Sequence, residues 1–349
     1  MSLFRQEIDK LTAYMPGEQP PPGTKVIKLN TNENPYPPSP KAIDVLRGLD
    51  EQSLRLYPKP YADDVREAVS DVLNVPAEWV LVGNGSDDLL TMIMRSALWS
   101  GKRVAYPSPT YVLYRTLAEI QQADVLEVPF GEDYSVPSEQ LVSAGAAVTI
   151  IATPNSPSGT AASNDLLAGL AGKCRGLVVI DEAYADFADD NAMDLVSRFQ
   201  NVIVLRTLSK GYSLAGLRLG FGVARPDVIE GLSKVKDSYN VDAVACMVGA
   251  AAIRDQAHKD SNVHKVKASR KVLSERLQDL GFRVWPSQAN FLLVRPPAGD
   301  AESIYQSLKQ RGIFVRYFKQ PRLDDKLRIT VGTDEQNAVL LDALGELVK

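Results

Sequence analysis

The sequence predicts an α/β fold, with a mainly parallel sheet flanked by helices and a smaller α+β unit towards the C-terminal end. Two patterns carry that expectation. From about residue 60 to 245, unbroken apolar runs alternate with helical periodicity, and Val/Ile/Leu runs without polar alternation read as strands covered on both faces. Beyond residue 245, helices are followed by shorter, more alternating strands, as in an α+β arrangement. A length of 349 residues, 45% of them apolar, leaves interior for one large or two ordinary domains. The expected division is an arm over 1–30, a large domain over 31–245 and a small domain over 246–349.

In chain order, the prolines and glycines of "MPGEQPPPGT" interrupt regular structure, so the beginning reads as a short helix, an extended arm and a strand in "KVIKLN". The runs "WVLVG", "RVAYP", "AVTIIATP", "GLVVIDEA", "NVIVLRT" and "LGFGVA" read as strands, with helices such as "SDDLLTMIMRSALW" and "YVLYRTLAEIQ" between them. "VHKVKASRKVLSERLQDLG" reads as a long amphipathic helix. After it come "FRVWPSQANFLLVRP", the helix "SIYQSLKQRG", the strands "IFVRYF" and "KLRITVG", and a terminal helix.

Composition narrows the function. A formal charge of −4 and a pI near 5.5 argue against gripping nucleic acid or an anionic membrane, leaving small molecules or a second copy as partners. Cys174 and Cys246 lack C-x-x-C spacing, and His258 and His264 lie on different helix faces, so neither a disulfide framework nor a metal site is expected. The charged "MSLFRQEIDK" is not a signal peptide and no apolar run is long enough to span a bilayer, so a cytoplasmic protein is expected.

In an open α/β sheet, ligands bind beyond the carboxyl ends of the strands, which directs attention to the polar residues that follow each run. "VGNGSDDLL" is a strand, a glycine turn and a helix start that offers free N–H groups to an anion near Ser86 and Asp87, although alone these residues read equally as a cap. Asn155 follows "AVTIIATP". Asp181 ends a wholly apolar run, where an ionised carboxylate needs a cation or several donors, and Tyr184 lies just beyond it. Lys210 follows "NVIVLRT", with Arg218 in the glycine-rich segment after it. A lysine for an aldehyde, an aspartate for a ring nitrogen and an arginine with backbone donors for a phosphate are the needs of pyridoxal phosphate.

With "LTAYMPG", "LNTNENPYPPSP", "RLYPKPY", "GNGSDD", "PSPTY", "TPNSPSG", "VVIDEAYADF", "RTLSKGYSLAGLRLG" and "LRITVGT" in order along the chain, the sequence resembles the fold-type I pyridoxal-phosphate aminotransferases, and among them the histidinol-phosphate aminotransferase family. The resemblance implies a mainly parallel seven-stranded sheet and an arm that packs on the small domain or a partner subunit. It implies that Lys210 carries the cofactor, that Asp181 pairs with the ring nitrogen, that Asn155 and Tyr184 meet the phenolic oxygen, and that Tyr111 stacks on the ring. Ser86, Asp87, Ser209 and Arg218 would hold the cofactor phosphate, joined by Tyr57 from the other subunit of a homodimer. Arg328 would meet the carboxylate of glutamate or the phosphate of histidinol phosphate, with Arg316 and Tyr14 helping to hold that phosphate and Asn32 near the substrate. The implied reaction moves an amino group between L-histidinol phosphate and 2-oxoglutarate. The alternatives are an aromatic amino-acid aminotransferase and a threonine-phosphate decarboxylase-like lyase, which share the cofactor residues. Departures are Pro37, where the family often has glycine, and Asp88, where glutamate is common.

Overall fold

The strands of the computed structural model are β1 (Ile27–Lys28), β2 (Val80–Gly83), β3 (Arg103–Ser108), β4 (Asp124–Pro129), β5 (Val148–Ala152), β6 (Leu177–Asp181), β7 (Val202–Thr207), β8 (Gly220–Ala224), β9 (Arg283–Val284), β10 (Phe291–Arg295), β11 (Ile313–Phe314), β12 (Arg316–Tyr317) and β13 (Leu327–Thr330). The structure describes residues 2–11, 18–20, 23 and 25–348. β2 to β8 form a seven-stranded sheet in the order β2-β8-β7-β6-β5-β3-β4. Neighbours pair in parallel except β8, which runs antiparallel to both β2 and β7.

The unbroken apolar runs follow from burial on both faces. Val178, Ile180, Val202 and Val204 face one core with the helices Asp63–Leu73 and Ala243–Arg254, whereas Val179, Ile203 and Leu205 face the other with the helix Ser86–Ala97. Each such side chain contributes about 1.5–3 kcal/mol by leaving water, so neither face tolerates the alternation of a half-exposed strand. Edge strand β4 is not among the runs singled out in the sequence. Its residues are mostly half-buried or exposed, and "DVLEVP" carries a weaker signal for that reason.

The expected boundary at 245/246 falls inside the helix Ala243–Arg254. Its buried residues through Ile253 pack in the core of the large sheet, and Gly249 lies so close to Leu219 that a side chain would collide with it. The chain leaves that core at Asp255, where the helix Gln256–Asp279 begins. A second sheet, in the order β12-β13-β10-β9, and its flanking helices enclose a separate core containing Leu273, Leu292, Ile329 and Leu340. Leu29 joins this core and β1 pairs in parallel with β11, so the segment after the prolines packs on the C-terminal part. "IFVRYF" divides at Val315 because β11 pairs with β1 whereas β12 pairs with β13. Among the described residues no helix is long and apolar enough to cross a membrane.

Candidate active site

The reversed strand β8 brings the chemistry together. Its first residue, Gly220, pairs with Gly83 at the end of β2 and with Thr207 at the end of β7. The turn after β2, the Lys210 loop after β7 and Arg218 before β8 therefore share one edge of the sheet. Arg218 sits in the left-handed region (φ 55°) after the short turn Ala215–Leu217, which redirects the chain so that its guanidinium meets the turn after β2. It donates to Asp87 Oδ2 at 3.2 Å and to Ser209 Oγ at 3.4 Å.

Gly85 in that turn and Gly220 beside it leave no room for a side chain. Gly85 has φ +80°, and a Cβ there would stand 2.8 Å from Arg218 Nη2; one on Gly220 would stand 2.5 Å from the Ser86 nitrogen. The helix Ser86–Ala97 starts without a side-chain cap, so its first N–H groups open beside Arg218, an arrangement that suits a phosphate. Asp88, which sequence reasoning noted only as a departure, shapes the turn: its Oδ2 accepts from Asn84 N at 3.0 Å and Asn240 Nδ2 at 2.9 Å.

Asp181 lies at the end of β6, buried, with Tyr114 Oη donating to Oδ2 at 2.6 Å and Ala183 N to Oδ1 at 3.2 Å. No described cation pairs with it. Burial pushes its carboxyl up to about 6, against the pull of Tyr114 and Ala183 and with help from Asp87 and Glu182. A protonated ring nitrogen would supply the missing positive charge. Tyr111 Oη donates to Asp87 Oδ1 at 3.2 Å and meets Tyr114 edge to face. The site therefore fits pyridoxal phosphate at both ends, with the glycine cradle and Arg218 for the phosphate and an uncompensated buried carboxylate for the ring nitrogen.

Between these ends stand Lys210, Asn155 and Tyr184. Lys210 Nζ lies 5.6 Å over the Tyr184 ring and donates to Thr31 O at 3.3 Å, while Asn34 Nδ2 donates to Lys210 O at 3.2 Å. Asn155 accepts from Thr110 Oγ1 at 2.6 Å and donates to Ser158 Oγ at 2.9 Å. Tyr184 packs edge to face on Phe291, 5.0 Å between ring centres. Asn32, expected near substrate, has its side chain committed to protein groups: Nδ2 donates to Tyr184 Oη at 2.9 Å and Oδ1 accepts from Thr330 Oγ1 at 2.9 Å.

Arg316 and Arg328 are register partners on β12 and β13, and both guanidiniums lie over Phe318, at 5.1 and 5.6 Å. Arg328 Nη1 donates to Ser156 Oγ at 3.0 Å and Nη2 to Asn30 O at 2.8 Å, which ties the second sheet to the end of β5 and to the arm. Tyr57 is not brought to the site within this chain. It is 81% exposed and stacks on Tyr239 at 4.6 Å. Tyr14 lies outside the described residues. Tyr114 was missed because a buried aromatic on a helix reads as core.

The model of the class I and II aminotransferases matches residues 24–344 of this chain. The chain belongs to that family. A histidinol-phosphate aminotransferase 1 of Trichormus variabilis is 57% identical over 348 residues, covering 100% of this chain and 99% of its own. The crystal structure of histidinol-phosphate aminotransferase from Sinorhizobium meliloti, in complex with pyridoxal 5′-phosphate, superposes with a TM-score of 0.91 at 25% identity, covering 100% of this chain and 98% of that one. An aspartate aminotransferase from Thermotoga maritima shares the aminotransferase fold at a TM-score of 0.82 and 21% identity, covering 93% of this chain and 92% of that one. The fold alone therefore does not select a substrate.

Proposed function

We propose that this chain is a pyridoxal-phosphate-dependent histidinol-phosphate aminotransferase, moving an amino group between L-histidinol phosphate and 2-oxoglutarate in the cytoplasm as a step of histidine biosynthesis. The identity with full-length relatives of that name supports the reading, and one geometric observation carries the substrate. Arg316 and Arg328 stand directly opposite each other across two strands. With both guanidiniums over Phe318, the two strands present a cationic surface that suits an anion. The planar fork of arginine meets phosphate and carboxylate alike, so one pair serves the phosphate of one substrate and the carboxylate of the other.

Bound at this site, pyridoxal phosphate supplies an electron sink for the pair released when the α-C–H bond of the amino donor breaks. The chain does the rest. Lys210 would carry the cofactor, and its Nζ would accept the α-proton of the amino donor. Asp181 would hold the ring nitrogen protonated, Asn155 and Tyr184 would hold the phenolic oxygen, Tyr111 would cover the ring, and Ser86, Asp87, Ser209 and Arg218 would hold the phosphate. We assign the exposed pair Tyr57 and Tyr239 to a homodimer contact through which Tyr57 reaches the phosphate site of the partner subunit.

The test is kcat/KM for histidinol phosphate and for phenylalanine, in the wild type and in Arg316→Ala. Losing a charge-assisted contact should lower the value for histidinol phosphate by about 10- to 100-fold and leave phenylalanine nearly unchanged. Equal losses for both would remove Arg316 from phosphate recognition, and a wild type that prefers phenylalanine would replace the reading with an aromatic aminotransferase.

A further inference from the structure

Hydrogen positions on hydroxyl and amide groups are ordinarily ambiguous, but one chain of contacts here begins at a donor that cannot be reversed. The backbone N–H of Asn32 donates to Thr330 Oγ1 at 3.1 Å. Thr330 is buried, so its hydroxyl proton needs an acceptor within the protein, and among the described residues Asn32 Oδ1 at 2.9 Å is the one that takes it. An oxygen at that position fixes the orientation of the Asn32 amide, so its Nδ2 donates to Tyr184 Oη at 2.9 Å. Tyr184 is thereby an acceptor towards Asn32, and its own proton must point elsewhere. Among the described residues no group accepts that proton. The hydroxyl proton is left for the site, on the side where Lys210 lies over the ring.

We infer that Asn32 and Thr330 act together to aim the Tyr184 hydroxyl proton into the active site, which makes Asn32 a positioning residue and not a substrate contact. The surrounding geometry is built for that task. Asn32 is 1% exposed and holds φ 57°, a left-handed conformation that asparagine tolerates better than most residues, and Asn290 Nδ2 pins its carbonyl at 3.0 Å. Thr330 and Phe291 are register partners, so one cross-strand pair both packs the Tyr184 ring and directs its hydroxyl. Arg328 lies two residues before Thr330 on the same strand face, and its hold on Asn30 O ties the anion site to the same arm. The charged and titratable groups around this chain are Lys210 over the ring, Asp181 with Tyr114 behind it, Arg328 on β13, and Glu33, which is paired with Lys28.

The inference uses the cofactor but not the choice of substrate, so it is tested on the resting enzyme loaded with pyridoxal phosphate and without any amino donor. The readout is the pH midpoint at which the visible band changes. A donor on the phenolic oxygen stabilises its anionic form, so losing the donor raises the midpoint, by about one pH unit for a hydrogen bond of ordinary strength. Thr330→Val and Asn32→Gly, the latter keeping the backbone conformation, should each raise it by about that amount, while Thr330→Ser, which retains the hydroxyl, should not. In a Tyr184→Phe background neither Thr330→Val nor Asn32→Gly should shift it further. Shifts of equal size with and without the Tyr184 hydroxyl, or an unchanged midpoint in folded Thr330→Val, would overturn the inference. Failure of the substrate reading would show instead in wild-type turnover, where histidinol phosphate would not pass its amino group to 2-oxoglutarate.

Discussion

Asp181 and Glu182 are adjacent, acidic and buried, and the chain treats them in opposite ways. Glu182 is fully matched: Arg206 Nε approaches Oε2 at 2.7 Å, Ala192 N donates to Oε1 at 2.5 Å, and Arg206 extends to Asp186 and from there to Lys259. Burial pushes the Glu182 carboxyl up while Arg206 opposes it, and Arg206 itself stays above its ordinary value because Glu182 and Asp186 outweigh its burial. The pair is ionic. Asp181, on the other face of the sheet, has a tyrosine hydroxyl and one backbone N–H but no cation among the described residues. The difference is between a buried acid matched by a cation and one without a described cation, and an unpaired buried carboxylate persists only where something else supplies the charge.

The largest way to break this comparison is to make Glu182 resemble Asp181. Arg206→Met should destabilise the protein by about 3–5 kcal/mol in urea unfolding, because it strands a buried carboxylate. Adding Glu182→Gln should recover much of that loss; no recovery would mean that Arg206 acts through packing instead. Next in size is the phosphate end. Gly220→Ala places a Cβ 2.5 Å from Ser86 N and 2.9 Å from Arg206 O, both backbone atoms that cannot rotate away. Overpacking of about 1–3 kcal/mol should follow, together with weaker binding of pyridoxal phosphate to the cofactor-free protein in an equilibrium titration. The smallest effect is expected from Tyr114→Phe, which removes the bond that pulls the Asp181 carboxyl down. The loss of about 1 kcal/mol of support for the carboxylate should weaken cofactor binding several-fold at neutral pH and leave the fold intact.

The gathering of Lys210, Asp181 and Asn155 at one sheet edge was legible because it obeys a local rule. Lys210, Asp181 and Asn155 each follow an apolar run that becomes a buried parallel strand, so position along the chain translates directly into position at the sheet edge. Tyr114 was not legible, since a tyrosine in an amphipathic helix gives no sign of whether its hydroxyl meets water or Asp181. Nor was the relay through Asn32 and Thr330, residues separated by almost the whole chain and joined because residues 29 to 32 lie beside β13, with Thr330 N donating to Leu29 O at 3.0 Å. The helix Ala243–Arg254 obscured the expected boundary for a related reason. Its alanine-rich sequence is apolar nearly all round and does not say which of two cores it joins.

Among the described residues Asp181 has no counter-charge, and the ring nitrogen of the cofactor would supply one. In the cofactor-free protein a carboxyl raised to about 6 binds its proton more tightly folded than unfolded, so its contribution is fully present below the ordinary carboxylate range and is lost as pH rises through about 6. The direct measurement is the free energy of unfolding of the cofactor-free protein as a function of pH, in the wild type and in Asp181→Asn, which cannot ionise. The difference should move by about 2–3 kcal/mol in favour of Asp181→Asn between pH 4 and pH 7.5, most of it before pH 6.5. Parallel curves, or a wild type that gains on the variant as pH rises, would contradict it and would mean that Asp181 already has its partner within the chain.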